Sequence, residues 1–95
     1  MTVITPTVGR IVWYWPLVND GYDPVSQPFA AIVTFAFGDR MINLTAFDHA
    51  GNVETHTSVQ LAQEGDPVPT HGGYAQWMPY QLGQAKKHAP EAAAA

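Results

Sequence analysis

Three strand-length runs separated by two turn signals dominate the middle of this chain and leave little room for anything but β-structure. Phe29 to Phe37 is almost continuously apolar and is bounded by Pro28 on one side and Gly38-Asp39 on the other. A run of that length and make-up reads as a central strand covered on both faces. Gly38-Asp39 suits a two-residue hairpin in which Gly takes the positive φ of a type II′ turn, which makes Arg40 to Asp48 the next strand. Asp48-His49-Ala50-Gly51-Asn52 reads as a second hairpin, with Gly51 suited to a left-handed position. Val53 to Leu61 then alternates. Val53, Thr55, Thr57, Val59 and Leu61 are assigned to the buried face, and Glu54, His56, Ser58 and Gln60 to the wet one.

On either side of this block lie shorter elements. Gly9 to Trp15 is rich in β-branched and aromatic residues and stops at Pro16, as a first strand would. The stretch from Pro16 to Pro28 carries Asn19-Asp20-Gly21, Asp23-Pro24 and Gln27-Pro28, a long loop with several turn signals. Gln63 to Gly73 is a second irregular connection, and Tyr74 to Met78 a short closing strand stopped by Pro79. Gln84 to His88 can form a helical turn that Pro90 would end. The expected fold is therefore all-β: a small five-stranded antiparallel barrel, SH3-like, with an OB-like barrel as second choice and a short C-terminal helical tail. Residues 1–85 form the single barrel domain, and 86–95 a flexible tail.

Composition narrows the function classes. Of 95 residues, 46% are hydrophobic and only 13% charged, about half the usual ~25%. A surface so poor in charge is expected to be partly covered, which predicts a homo-oligomer or a docked subunit. The net charge is −4, and the four basic residues Arg10, Arg40, Lys86 and Lys87 form no stripe, so duplex nucleic acid is not an expected partner. The N-terminus shows neither a charged leader nor an apolar run of membrane-spanning length, so no membrane is expected and the protein is placed in the cytoplasm. The absence of cysteine excludes disulfides and thiolate chemistry.

No catalytic frame is legible. His56 and Ser58 share a strand face and Asp48 and His49 lie nearby, but alternate polar residues are ordinary on a wet face, and no nucleophile elbow is present. The histidines His49, His56, His71 and His88 are never closer than seven positions, unlike the short spacing of zinc ligands. There is no glycine-rich phosphate motif. We therefore expect no catalytic residues, no metal and no cofactor.

The aromatic residues remain, gathered in Trp13-Tyr14-Trp15-Pro16 and Trp77-Met78-Pro79-Tyr80. Neighbours on a strand face opposite ways, so the first cluster cannot all enter one core. With Trp13, Phe35 and Phe37 assigned to the core and to a subunit interface, Trp15 leans inward with Trp13. Tyr14 then becomes the exposed ring, beside Arg10. The candidate ligand-binding residues are Arg10, Tyr14, Trp15, Arg40, Trp77 and Tyr80. Cations and flat rings suit a ligand with both an anionic group and a ring, and base stacking on such a ring contributes roughly 1–3 kcal/mol.

Thr7-Val8-Gly9-Arg10-Ile11-Val12-Trp13-Tyr14 near the start, with Trp77-Met78-Pro79-Tyr80-Gln81 and Gly83-Gln84-Ala85 near the end, resemble a family of small, largely uncharacterised proteins of tailed bacteriophages and prophages. Ala31-Ile32-Val33, Asn43-Leu44, Gly51-Asn52 and Thr57-Ser58-Val59 also fit that family. The resemblance implies a viral protein acting in the cytoplasm of the infected bacterial host. Two roles follow from that setting. One is a non-enzymatic sponge that sequesters a small nucleotide-like signal of antiviral defence. The other is a virion structural or adaptor protein of capsid or tail, its aromatics buried between subunits.

Overall fold

The computed structural model describes residues 3–17, 27–70 and 72–94. The turn signals expected over 19–24, together with His71, lie outside them. Five strands, β1 (Ile11–Trp15), β2 (Phe29–Gly38), β3 (Met41–Phe47), β4 (Val53–Ala62) and β5 (Tyr74–Gln76), close into a barrel, followed by α1 (Pro79–Ala94). The order β1-β2-β3-β4-β5 is sequential and returns to β1, unlike the Greek-key path of the OB-like alternative. The barrel is mostly antiparallel, but β4 and β5 run parallel, with Leu61 opposite Ala75. The 63–73 connection makes this possible by carrying the chain back along the barrel before β5 begins.

Inside, Val12 and Tyr14 from β1 meet Ala31 and Val33, then Ile42, Leu44 and Ala46, then Val59 and Leu61, with Ala75 and Trp77 closing the ring. Tyr14 is the one large ring that β1 sends inward; it lies opposite Ala75 on β5 and Phe29 on β2, while Ala31 pairs with Ala46. Fully burying an aliphatic side chain such as Leu44 or Leu61 stabilises the fold by about 1.5–3 kcal/mol.

Two expectations about strand faces are corrected, both because of bulges. On β4 the register slips between the pairs Ile42–Val59 and Leu44–His56, so the strand carries one extra residue there, and Ser58 adopts φ 54°. The Asn43 Oδ1 accepts the Ser58 N–H at 2.8 Å, which a regular ladder would have left to a backbone carbonyl. Beyond the bulge Val59 and Leu61 face inward as expected. Before it the phase is inverted: Glu54 and His56 turn inward, while Val53, Thr55 and Thr57 are exposed. On β2 the register shifts twice, between Val33 and Phe35 and between Ala36 and Gly38. Its first half enters the core, Ala36 packs against the core after the first shift, and Phe35 and Phe37 lie on the outer wall, 51% and 56% exposed.

The hairpins differ in how well residue type predicted them. Gly38 stays in β2 paired with Met41 and does not take a positive φ, so the β2–β3 turn is Asp39-Arg40 and not the type II′ turn expected at Gly38-Asp39. At the second hairpin Gly51 has φ 89°, and Asp48 ties the loop. Its carboxylate accepts the N–H groups of Ala50 and Asn52, each at 2.9 Å, and the Asn52 side-chain amide at 3.1 Å. His49 Nε2 reaches the carbonyl oxygens of Gln27 and Pro28, and its ring meets Phe29 edge to face at 4.9 Å, which holds the entry to β2.

The C-terminal expectation also changes. In place of a turn over Gln84–His88 ended by Pro90, a 16-residue helix starts at Pro79 and continues through Pro90 to Ala94. Pro79 sits in the first helical position, where a missing N–H costs nothing, and the alanines on either side of Pro90 are strong helix formers. Among the described residues no helix is long and apolar enough to cross a membrane.

Candidate functional site

A groove of about 290 Å³ runs along the seam between the barrel and the start of α1. Ile4 and Arg10 form its barrel side, Trp77 its floor, and Tyr80, Gln81, Gln84 and Ala85 its helical side. Each part is placed by a local device. Gln63, 3% exposed, holds Ile4 as a strand would: its Oε1 accepts the Ile4 N–H and its Nε2 donates to the Ile4 carbonyl, both at 2.9 Å. The same amide donates to the Asp39 carbonyl at 2.6 Å, so its buried polar atoms are satisfied. Arg10 is set by the extension of the β1–β2 ladder, where its carbonyl accepts the Val33 N–H at 2.8 Å.

On the helical side Tyr80 and Gln84, and likewise Gln81 and Ala85, stand four residues apart and share a face. The helix start carries half a capping box: Gln81 Oε1 accepts the Met78 N–H at 2.9 Å. The other end of that amide donates to the Ile11 carbonyl at 2.8 Å, which ties the first turn of α1 to β1. Leu82 packs against the core, and Lys86 pairs with Glu64 on the 63–73 connection.

Three of the six expected ligand-binding residues, Arg10, Trp77 and Tyr80, thus converge on one groove from distant parts of the chain. Tyr80 is 73% exposed, whereas Trp77 is 2% exposed, so the two rings differ in role. The other three lie elsewhere. Tyr14 is inside the barrel, 4% exposed, which reverses its expected outward direction. Trp13 and Trp15 occupy the outer, half-buried face of β1, and the Trp15 indole donates to Gln76 Oε1. The inversion follows from pairing: Val12 and Tyr14 share the inward face with their buried partners Ala31 and Ala75, and strand alternation puts the indoles at 13 and 15 on the other face. Arg40 sits in the β2–β3 turn and is paired with Asp66 at 2.9 Å. That ion pair holds the Asp66 carboxyl below its usual range, helped by the Gln63 N–H.

A second polar cluster, not anticipated, runs from the buried Tyr14 to the part-exposed His56 and Glu54 on β4. The Tyr14 and His56 rings stack at 4.5 Å, with the Tyr14 hydroxyl 3.5 Å from His56 Nδ1 and His56 Nε2 3.0 Å from Glu54 Oε1. Burial, reinforced by the negative charge of Glu54, pushes the Tyr14 hydroxyl above its ordinary pKa. The bulge at Ser58 creates this cluster by turning Glu54 and His56 inward. It also separates His56 from the exposed Ser58, which undoes their placement on one strand face. No group of three or more His, Asp or Glu side chains that could hold a metal occurs among the described residues.

Gln63, Gln81 and Gln84 were missed as site residues. The sequence did carry one signal for Gln81, because Pro at the first helical position with Gln two residues on marks a helix start. Comparison with protein-family models, curated proteins and solved structures finds no match to this chain.

Proposed function

We propose that this chain is a non-enzymatic binding protein that holds a small nucleotide-type ligand in the groove formed by Arg10, Trp77 and Tyr80. The observation that carries this reading is the convergence itself: one guanidinium, one open aromatic face and an apolar floor around a space of about 290 Å³. That volume is at the low end of small-molecule sites and suits a single nucleotide unit. A guanidinium recognises phosphate or carboxylate oxygens, and an exposed tyrosine ring stacks on a base. The phage resemblance supplies the setting, sequestration of a nucleotide signal of antiviral defence in the cytoplasm of the infected bacterium.

Calorimetric titration with mononucleotides, cyclic dinucleotides and ADP-ribose derivatives tests the reading. Binding that weakens at least tenfold in both Arg10→Gln and Tyr80→Ala supports it, and silence across the panel sinks it. We further propose that the chain is a homo-oligomer, because Phe35 and Phe37 pack edge to face at 4.9 Å on the outer wall and remain half exposed. The same pair favours a second reading, a capsid or tail component with this wall buried between subunits. Mass spectrometry of purified particles separates the two: stoichiometric copies support the virion role, and absence from particles removes it.

A further inference from the structure

The Trp77 indole is 2% exposed, and its Nε1–H meets no acceptor among the described residues. A buried donor without an acceptor is costly, and native structures rarely keep one without a reason. Gln63, equally buried, has every polar atom paired, so this corner of the fold is able to satisfy its own amides. Trp77 also borders two spaces: the groove already described and a smaller one of about 190 Å³ on its other side.

The two spaces differ in charge. The smaller one is flanked by Glu64 and Asp66, each already paired with a cation, and has no cation in its own lining. The larger groove has no carboxylate in its lining and carries Arg10. Of its polar side chains, the Gln81 amide is spent on Met78 and Ile11, Gln84 and the Tyr80 hydroxyl can donate or accept, and the Arg10 guanidinium only donates. A guanidinium with no carboxylate in the lining calls for a ligand that brings the anion.

We propose that the Trp77 Nε1–H is the second donor, beside Arg10, for an anionic phosphate oxygen of the groove's ligand. This rests on the binding function proposed above and specifies its ligand as a phosphate-bearing nucleotide, with its base on Tyr80. The indole nitrogen is sealed from solvent in the free protein, so the contact forms when the first turn of α1 lifts. That turn is tied to β1 by the Gln81–Ile11 hydrogen bond and by the packing of Leu82.

The test uses AMP, GMP and ADP-ribose, each beside its parent nucleoside, with inorganic phosphate as a further probe. Replacing the Trp77 indole with benzothiophene removes the N–H and keeps the ring shape. Nucleotide affinity is expected to fall about tenfold, the loss of one charge-assisted hydrogen bond, with nucleoside affinity unchanged and the unfolding midpoint not lowered. Unchanged nucleotide affinity, in a protein still dependent on Arg10 and Tyr80, overturns the role of Trp77 and leaves the binding function standing. An equal loss for nucleosides also overturns it, since the donor would then meet the base. No binding of any probe by the unsubstituted protein sinks both. A readout without substitution is the Trp77 indole N–H resonance, expected to move downfield at saturating nucleotide; a resonance that stays put overturns the proposal.

Discussion

At the scale of single residues, a few positions are held by geometry that no other side chain satisfies. Gly72 has φ 82°, and a Cβ there would lie 2.0 Å from the Pro16 carbonyl oxygen, where the chain entering β5 passes the end of β1. Gly72→Ala is expected to cost about 1–3 kcal/mol in urea unfolding, through backbone strain and the forced separation of these segments. Asp48 acts through hydrogen bonds. Its carboxyl is held below the usual 3.8 first by the Asn52 backbone and then by the Asn52 side chain. A depressed folded value means that the stability it contributes is present above about 3.8 and is lost as pH falls through the folded value. Asp48→Ala should therefore be less stable than the parent at neutral pH, with the gap closing on acidification, as thermal unfolding across pH will show. Turn residues such as Gly51 and Asp48 were legible in the sequence because their effect is local. The direction of Tyr14 was not, since it depends on pairing with strands fifteen and more positions away.

At the scale of elements, the strands were legible almost to the residue, and their faces only in part. Apolar runs and turn signals define where strands begin and end, but a bulge shifts the phase without changing composition. Ser58 illustrates this. A left-handed conformation costs a non-glycine residue about 1–2 kcal/mol, and glycine in a strand costs about 0.5–1 in chain entropy. Ser58→Gly should then stabilise the protein by about 0.5–1 kcal/mol, raising the thermal midpoint while Glu54 and His56 stay inward. The start of α1 offers a second test. Gln81→Ala removes both the acceptor for the Met78 N–H and the donor to Ile11, with an expected cost of about 1–2 kcal/mol. Faster amide exchange at Leu82 and Gly83 would be its signature. If exchange there is unchanged, the first turn is held by packing alone.

At the scale of the whole molecule, a closed barrel leaves no strand edge for pairing, so association must use side chains on its walls. Phe35 and Phe37 form an exposed aromatic pair on that outer surface. The proposed oligomer predicts that Phe35→Ser with Phe37→Ser lowers the mass seen by light scattering to that of a monomer, while circular dichroism still reports the barrel. A monomeric parent protein would remove the oligomer and with it the argument from low charge. The groove and this wall are built from different residues, so loss of assembly and loss of ligand binding can be read separately.

The sequence by itself determined the class of fold, the five strands, the hairpin at Asp48–Asn52 and the unusual scarcity of charge. These follow from residue type and short-range spacing, because backbone preference and two-residue periodicity are written into neighbouring positions. It also singled out Arg10, Trp77 and Tyr80. Only the tertiary structure decided that these three share a groove, that Arg40 belongs to Asp66, that Tyr14 lies inside against His56, and that β5 runs parallel to β4. Each of those depends on how distant parts of the chain close on one another, across 26 residues at Arg40–Asp66, 42 at Tyr14–His56 and 70 at Ile11–Gln81, which short-range spacing does not encode.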